Sequence, residues 1–579
     1  MSKRWRLAPS APPEVRDRFP DLNPIVTQLL WNRGLASQDQ VDEFLHPDFS
    51  QDLHDPSLFR QMDAACERVW RALGAGEKVV IHGDYDADGV TGTTVLMTTL
   101  RALARRHGGH PERLEAYFPH REKEGYGVKP ETVRQLAADG YTLLITVDCG
   151  IGNAEEVALA AGLGLDCIVV DHHQVPAKIP DCLILHPLVP GETYPYKSLA
   201  AVGVAYKFAA GLIRHAAAHG VELEPGFEKW LLDLVAIATV TDIMPLLGEN
   251  RTLEHYGLVV LNKTRRPGLR RLIEKAGLKP GGLDTISVGY YIGPRINAAS
   301  RMDHARIAYD CLMADDEAMA EAASEKLNSC NVVRQKSTEA MFTAAHADVE
   351  AEGRKPIICV ASESWSPGVV GIVAGRLVSE FGVPAFVFGR DGDRFVGSGR
   401  SIPEFNVIDA MASASGLILR YGGHPQACGL TIEGADNYVA FKSALEAYAA
   451  EKLDGLDLRP ALEIDAVIGI EEADWGLVDW LARFEPYGEA NPRPRFLMRN
   501  LLVSSAEIIG KNRNTLRLGL RGADPREYKV IGFGFGSRAG EFATGSRADV
   551  VLEIGVNSWN GTREIQLKLV DARAAGEFA

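Results

Sequence analysis

Short apolar runs alternate with amphipathic stretches through the first half of the chain. The apolar runs are Val79–Ile81, Leu143–Val147, Cys167–Val170 and Cys182–Leu185. Stretches with helical periodicity lie between most of them: Thr91–His107, Pro130–Ala138 and Ala154–Gly162. Unbroken apolar strands that alternate with helices are typical of a parallel sheet covered on both faces. The pattern predicts an α/β domain over residues 56–260.

The later part of the chain divides into three further segments. Residues 261–354 open with a basic run, Lys263–Lys275, which is either a solvated helix face or a nucleic-acid contact. They continue into residues 314–352, which contain no Gly or Pro and predict one long connecting helix. Residues 355–455 predict a second α/β domain from two strands and the helix between them: Ile357–Ala361, Ala385–Gly389 and Val370–Glu380.

The sequence patterns at the two ends of the chain differ from those of the two predicted α/β domains. Residues 456–579 contain short alternating segments that predict a small, locally basic β-barrel of the OB type. These segments are Arg495–Leu502, Ala506–Ile509, Asn514–Leu520, Tyr528–Phe535, Asp549–Asn557 and Arg563–Asp571. Residues 1–55 carry two helical patterns, Pro24–Arg33 and Gln38–Leu45, between Pro-rich breaks. We interpret them as an N-terminal cap.

Composition and charge restrict the class of protein. The 579 residues carry a net charge of −15, which argues against nucleic-acid binding over the whole surface but leaves local binding open. Eight cysteines without a C-x-x-C pair argue against a zinc ribbon or a disulfide framework and fit a reducing cytoplasm. The most apolar segment, Leu231–Leu247, carries Asp233 and Asp242, so we expect no membrane span.

Four polar residues follow the first apolar run at every second position. They are His82, Asp84, Asp86 and Asp88, and Gly89 closes the pattern. Carboxylates this close repel one another, so the pattern indicates bound cations. A helix-loop-helix calcium loop would need a Glu where Val95 stands. The alternative that stays open for this segment alone is a solvated acidic turn.

Carboxylates and imidazoles also follow three further apolar segments. They are Asp148 after Leu143–Val147, Asp171, His172 and His173 after Cys167–Val170, and Asp242 after Leu234–Val240. The carboxyl ends of parallel strands meet at one edge of a sheet, so we expect these side chains to converge there. Oxygen and imidazole ligands without thiolate favour manganese or magnesium over structural zinc. Two such ions about 4 Å apart are typical of phosphoryl chemistry.

The sequence around these residues resembles a known superfamily. GDYDADG, VDCG, VDHHQ and ATVTDIMPL resemble, in order and spacing, the four motifs of the DHH phosphoesterases. GSGRS at residues 397–401 and YGGH at residues 421–424 resemble the partner domain DHHA1. PHREKEGYG at 119–127, GPRINAASRMD at 293–303 and the barrel narrow the resemblance to the bacterial RecJ family. This resemblance implies a single-strand-specific 5′→3′ DNA exonuclease that releases 5′-mononucleotides and acts in DNA repair and recombination.

The resemblance also implies a role for each residue of the motifs. One divalent ion, Mn²⁺ or Mg²⁺, would be bound by His82, Asp86 and Asp148. A second would be bound by Asp88, Asp148, His172 and Asp242, with Asp148 as the bridging ligand. His173 would contact the scissile phosphate, and Asp84 would be a ligand or support one. The expected catalytic residues are Asp84, Asp86, Asp88, Asp148, His172, His173 and Asp242.

DNA binding is expected from a further set of residues. They are Arg121, Tyr126, Arg295, Asn297, Arg301, Arg376, Ser398, Arg400 and His424. Guanidinium groups suit phosphates and a tyrosine ring can stack on a base, although each arginine could instead form a structural ion pair. The family implies single-stranded DNA as substrate, with single-strand-binding protein and a helicase as partners, and we expect a monomer.

Three other functions compete with this interpretation. A DHH phosphodiesterase of short oligonucleotides or cyclic dinucleotides would need only the two α/β domains. A non-catalytic replication scaffold would have lost metal ligands, whereas every motif carboxylate is present here. A pure single-strand-binding protein would explain the barrel but not the carboxylates.

Overall fold

A computed structural model describes residues 3–559 and 561–576 of the chain. The chain forms two compact units. One contains residues 55–242 and 257–459, and the other contains residues 3–54, 243–256 and 460–576. Among the described residues, none of the helices combines the length and apolar character needed to traverse a bilayer.

The helices and strands follow one another along the chain in five groups. Residues 3–54 form β1 (Arg4–Leu7), α1 (Pro13–Arg18), α2 (Pro24–Asn32) and α3 (Gln38–Leu45). Residues 55–262 form α4 (Met62–Ala75), β2 (Val79–Gly83), α5 (Ala87–Arg106), β3 (Leu114–Tyr117), α6 (Pro130–Ala138), β4 (Leu143–Val147), α7 (Ala154–Gly162), β5 (Asp166–Val170), β6 (Leu183–Leu185), α8 (Ala201–Ala218), α9 (Leu232–Thr241) and α10 (Gly248–Leu261).

Residues 263–353 form α11 (Pro267–Lys275), α12 (Thr285–Ser287), α13 (Gly293–Met302), α14 (Arg306–Met313) and α15 (Glu317–Glu352). Residues 354–459 form β7 (Ile358–Ser362), α16 (Val370–Phe381), β8 (Ala385–Asp391), β9 (Arg394–Arg400), α17 (Val407–Ser413), β10 (Arg420–His424), β11 (Ala427–Glu433) and α18 (Ala435–Leu453). Residues 460–576 form β12 (Ala461–Ile464), β13 (Ala466–Val467), α19 (Trp475–Ala482), β14 (Arg495–Ile509), β15 (Thr515–Arg521), β16 (Tyr528–Phe533), β17 (Arg547–Trp559) and β18 (Thr562–Ala574).

The first α/β domain is built on a five-stranded parallel sheet, which confirms the predicted fold class. Its strand order is β3-β2-β4-β5-β6. Every residue of β2 and β4 is buried, as unbroken apolar strands require when helices cover both faces. Strand β3 was not predicted, because its four residues, Leu-Glu-Ala-Tyr at the sheet edge, contain no apolar run and only one buried position.

One predicted apolar segment has a different structure from the strands around it. Leu234–Val240 lies within helix α9, so Asp242 follows a helix and not a strand. The helix is almost completely buried, and its residues are apolar on every side. A short segment that is uniformly apolar has no periodicity from which a helix and a buried strand can be distinguished.

The second α/β domain has a mixed sheet with the strand order β10-β11-β9-β8-β7. Only β7 and β8 are parallel, and β9, β10 and β11 are antiparallel additions that the sequence analysis did not predict. The predicted connecting helix is α15, whose 36 residues span about 54 Å. Its acidic side chains form ion pairs with α11, namely Arg270, Arg271 and Lys275 with Glu317, Glu321 and Glu325. The basic run therefore attaches α11 to α15.

The C-terminal segment closes into a barrel. Strands β14, β15, β16, β18 and β17 are hydrogen-bonded in this order, and β14 also pairs with β17. Arg495–Leu502 and Ala506–Ile509, which were predicted as two strands, are one strand with bulges, because the chain bends without leaving the sheet. The predicted basic character is partly neutralised, since Arg517 pairs with Glu507 and Arg521 with Glu527.

The N-terminal residues belong to the same unit as the barrel. Strand β1 pairs with β12 in parallel, and apolar residues of α2 and α3 join the barrel core. Arg251, in the segment 243–256, is also buried here. Its guanidinium donates hydrogen bonds to the carbonyl oxygens of Phe44, Arg483, Phe484, Glu485 and Pro486. One cation thus satisfies five buried or part-buried acceptors of two distant segments.

We expect Arg251→Leu to destabilise this unit by about 3 kcal/mol or more, because hydrogen bonds from a charged donor are lost and their acceptors stay buried. Urea denaturation followed by tryptophan fluorescence measures the change. Arg526→Leu, at an exposed position of the same unit, is the matched control and should change little. Equal stability of the two variants would contradict the role given to Arg251.

Candidate metal centre and nucleic-acid interface

The loop between β2 and α5 carries the first carboxylates. Asp86 is the N-cap of α5, and its side chain accepts hydrogen bonds from the N–H groups of Asp88 and Gly89. Gly89 has to be a glycine, because a Cβ there would lie 2.4 Å from the carbonyl oxygen of Asp84. Asp88 accepts hydrogen bonds of 2.7 and 2.8 Å from Ala201 and Val202 at the N-terminus of α8.

Asp148 and Asp171 follow the next two strands. Asp148 has a left-handed backbone (φ 62°), which few residues other than glycine adopt without strain and which is common at functional sites. Asp171 is fully buried and accepts hydrogen bonds from the N–H groups of Ile151, His172 and His173. It also bonds Nδ1 of His173 at 2.9 Å, so it fixes both the turn and the orientation of that ring.

One imidazole nitrogen lies among three carboxylates. His172 Nε2 is 3.3 Å from Asp148 Oδ1, 3.5 Å from Asp242 Oδ2 and 3.7 Å from Asp88 Oδ2. This nitrogen and Asp148 Oδ1 are buried and have no hydrogen-bond partner among the described residues. Asp242, the C-cap of α9, is brought to the sheet edge by a helix end. These four side chains are the predicted ligands of one ion.

A second set of possible ligand atoms also contains Asp148. Asp84, Asp86 and Asp148 offer oxygens that lie within 4.8 Å of one another. His82 is not in this group of described residues, but its Nε2 is buried without a hydrogen-bond partner among them, so His82 stays a predicted ligand. Its ring centroid lies 5.1 Å from that of Tyr117, and its Nδ1 is 3.7 Å from the Cys149 sulfur. Asp148 belongs to both sets and is placed to bridge them.

The electrostatics of the centre fit bound cations. Burial, and then the charge of Asp86, raises the pKa of Asp84 well above its usual range. Burial and nearby carboxylates likewise raise the pKa of Asp88 and Asp148, and that of Asp242 to about 7. Divalent ions would remove this repulsion, and an oxygen-rich donor set with one imidazole suits Mn²⁺ or Mg²⁺.

The two adjacent histidines have opposite electrostatic environments. Burial, and then the charge of His173, lowers the pKa of His172 to about 4, which leaves a neutral ring. Burial also acts against a charge on His173, but its hydrogen bond and its attraction to Asp171 outweigh burial and raise its pKa to about 9. A neutral imidazole is a ligand, whereas a charged one that is 37% exposed can donate a proton.

Arginines gather next to the carboxylates without acidic partners. Burial, and then the charges of Arg121 and Arg334, lowers the pKa of Arg301 to about 9. Arg400, held by Ser398 Oγ and the carbonyl of Gly399, also lies within electrostatic range of Arg121. Within residues 3–559 and 561–576, none of these four arginines forms an ion pair with a carboxylate. Asp86 attracts Arg301, and Arg121 attracts Asp84, without an ion pair, so these guanidinium groups stay available to a phosphate.

A cleft opens between the two α/β domains beside this cluster. Its volume is about 490 Å³, within the range of pockets for small ligands. The ring of Tyr85, against which Arg121 stacks with its guanidinium carbon 4.7 Å from the centroid, forms one wall. Strand β10 forms another with Arg420 and Tyr421, and every residue of that strand is exposed.

Sequence profiles of known families match all three domains. Residues 78–239 match the DHH family, N-terminal domain, and residues 354–451 match the DHHA1 domain. Residues 464–571 match the RecJ OB domain.

Two curated relatives match nearly the whole of this chain. The single-stranded-DNA-specific exonuclease RecJ of Bacillus subtilis is 35% identical over 575 residues, which cover 98% of this chain and 70% of the relative. RecJ of Thermus thermophilus is 33% identical over 578 residues, with coverage of 98% and 78%. The chain belongs to the RecJ family. The crystal structure of RecJ in complex with Mn²⁺ from Thermus thermophilus has a TM-score of 0.81 at 30% identity, covering 98% of this chain and 79% of that one.

Several residues that the RecJ resemblance assigns to DNA have structural contacts here. Asn297 Oδ1 accepts a hydrogen bond from the N–H of Ala87, so it caps the metal-site helix α5. The Tyr126 hydroxyl donates to the Asp148 carbonyl and lies 3.1 Å from His173 Nδ1. Arg376 pairs with Glu339 and stacks on Phe342, whereas His424 is exposed at the end of β10.

Arg334 of the arginine cluster lies within electrostatic range of a further arginine, Arg295. Arg295, which was predicted, donates to Asn328 Oδ1 and the Tyr291 carbonyl. Arg334, which was not predicted, lies on α15, and its Nε is buried without a hydrogen-bond partner among the described residues. The sequence around Arg334 in the long helix matches no motif. Only the folded chain shows that this arginine lies beside other arginines and forms no ion pair with a carboxylate among the described residues.

We expect Asp148→Asn to leave the metal-free chain as stable as before, or more stable, because one buried and repelled charge is removed. Asparagine also tolerates a left-handed backbone. Addition of Mn²⁺ should raise the melting temperature of the unsubstituted chain but not that of the variant, because only a bound ligand stabilises the folded state.

Differential scanning calorimetry with chelator and with Mn²⁺ measures both effects. The matched control is Asp181→Asn, an exposed position of the same domain, which should keep the full response to Mn²⁺. An equal response of Asp148→Asn would remove Asp148 from the ligand set.

Proposed function

We propose that this chain is a metal-dependent exonuclease that degrades single-stranded DNA from the 5′ end and releases 5′-mononucleotides. The observation that carries the proposal is the juxtaposition of two unpaired charge clusters. Asp148 joins two sets of carboxylates that need cations, and next to them Arg301 and Arg400 need an anion. A phosphodiester next to a terminal phosphate supplies the negative charge in both places.

The residues around the carboxylates would share the work of hydrolysis. When bound, Mn²⁺ or Mg²⁺ would activate water and neutralise charge on the phosphoryl oxygens. The helix N-termini of α5 and α8 fix Asp86 and Asp88, so the ligands need little reorganisation. His173, charged and oriented by Asp171, would donate a proton to a phosphoryl or leaving oxygen through its free ring nitrogen.

The arginine cluster would set the polarity of the reaction. Guanidinium groups bind terminal phosphates through paired hydrogen bonds, and a 5′-phosphate has more charge and more free oxygens than an internal phosphodiester. With a terminal phosphate at Arg121 and Arg400, the first phosphodiester would lie towards Asp148, one nucleotide away. The strand would then be shortened from its 5′ end, one nucleotide at a time.

The cleft and the barrel would act on the rest of the strand. The cleft of about 490 Å³ would hold nucleotides of the single strand next to its 5′ end. In the other unit, Phe533 on β16 is 58% exposed and can stack on a base, as aromatic residues of single-strand-binding barrels do.

We further propose that the chain acts as a monomer in the cytoplasm, with single-strand-binding protein and a helicase supplying the strand. A phosphodiesterase of short oligonucleotides is less favoured, since it gives the RecJ OB domain no role.

Digestion of a single-stranded oligonucleotide labelled at its 3′ end tests the function. With Mn²⁺, we expect labelled fragments that shorten progressively, and with chelator we expect none. Asp148→Asn should be slower by about a hundredfold or more, because several kcal/mol of charge stabilisation are lost. A blunt hairpin is the control for strand specificity and should stay intact. Immediate release of the label as a mononucleotide would contradict the 5′→3′ direction.

Arg400→Ala should abolish the advantage of a 5′-phosphorylated over a 5′-hydroxyl substrate, with a rise in KM of about tenfold or more, because a charged hydrogen bond contributes about 1.5–3 kcal/mol. Steady-state kinetics on the two substrates measure this. The matched control is Arg394→Ala at the other end of β9, where the arginine pairs with Glu433. An unchanged preference in Arg400→Ala would remove this residue from the terminal-phosphate site.

A further inference from the structure

A second cluster of metal-ligating side chains lies at the far end of helix α8. The first residues of this helix hold Asp88, whereas His215 lies in its last turn and His219 is its C-cap. His215 follows Ala201 by 14 residues, about 21 Å along the helix. The cluster is therefore separate from the carboxylate centre, and the reaction proposed above does not use it.

Three side chains from two helices converge there. Glu67 on α4, His215 and His219 each offer a ligand atom, and these atoms lie within 4.8 Å of one another. His215 Nε2 is 3.5 Å from Glu67 Oε2. That nitrogen is inaccessible to solvent and has no hydrogen-bond partner among the described residues. A buried ring nitrogen that lies near a carboxylate but forms no hydrogen bond is available as a metal ligand.

The protonation of His219 is fixed by its own helix. Its Nδ1 lies 2.8 Å from the carbonyl oxygen of His215, and a carbonyl only accepts, so Nδ1 carries the hydrogen. Nε2 of the neutral ring then keeps a free lone pair. A backbone carbonyl in this position is the arrangement that orients metal-ligating histidines and makes them more basic.

The surroundings favour a positive charge. His219 caps the C-terminus of α8 and His107 that of α5, and helix C-termini carry partial negative charge. Trp70 lies between these rings, with its centroid 3.9 Å from that of His107 and 5.5 Å from that of His219. The indole limits the rotation of both imidazoles. Glu67 and His219 are exposed, so an ion can enter from solvent.

We propose that Glu67, His215 and His219 bind one divalent cation of the zinc class. Two imidazoles and one carboxylate, with water in the fourth position, form a common zinc ligand set. Imidazole favours the later first-row metals, whereas the oxygen-rich catalytic centre favours Mn²⁺ or Mg²⁺. The ion would connect α4 to the C-terminal end of α8 and so stabilise the scaffold behind Asp88.

The test uses the full chain with Asp148→Asn, which weakens binding at the catalytic centre. The protein is stripped with chelator, dialysed against Zn²⁺ with excess Mg²⁺, and analysed for zinc by mass spectrometry. We expect one zinc ion per chain. Adding His219→Gln should weaken zinc affinity by at least the tenfold that loss of an outer-shell partner alone costs. His107→Gln, which alters the same Trp70 cluster outside the ligand set, should keep the ion.

Folding and function serve as separate checks. His219→Gln in an otherwise unsubstituted chain should keep its exonuclease rate with Mg²⁺, and in the Asp148→Asn chain it should abolish the rise in melting temperature that Zn²⁺ gives. The absence of zinc from the Asp148→Asn chain, or its full retention after His219→Gln, would overturn the proposal. Equal loss of zinc in His107→Gln would overturn the assignment of the ligands. The zinc content and the melting temperatures do not depend on whether the chain degrades DNA.

Discussion

The structure of the catalytic domain depends on carboxylates that the fold forces together against their mutual repulsion. Parallel strands place their carboxyl ends at one edge, and the N-termini of α5 and α8 then fix Asp86 and Asp88 by backbone hydrogen bonds. Burial removes the solvent that would screen the charges, so protons or metal ions have to balance them. The stability of this domain is therefore linked to the occupancy of the centre.

The arginine cluster follows the same physical rule with the opposite sign. Arg301 and Arg334 are buried or half-buried beside other arginines, and their hydrogen bonds go to neutral acceptors. An ion pair would make each guanidinium more stable but would also remove it from an incoming phosphate. The unit that contains residues 55–242 and 257–459 thus holds adjacent positive and negative clusters, and a phosphate chain is the kind of molecule that relieves both.

The strands and helices that were predictable from sequence are those whose signal lies within a few consecutive residues. Strands β2, β4 and β5 each consist mostly of apolar residues, and each is followed within a few residues by its functional side chains. The long helix α15 was predictable from the absence of Gly and Pro. The exposed antiparallel strand β10 and the helical state of α9 were not, because a glycine-rich edge strand has little β-propensity and an entirely apolar segment has no period.

The candidate site shows the same division between local and tertiary information. Asp88 and His172 come from motifs, but Arg334 comes from the middle of a helix whose local sequence has no special feature. His82 and Asp84 are two residues apart, so on a regular strand their side chains would point to the same face, but β2 ends at Gly83 and Asp84 belongs to the loop. At the place where β2 ends, a pattern of alternate residues does not reveal which of them stay on the strand and which turn into the loop. The spacing of a motif therefore identifies a metal centre more reliably than it assigns each ligand.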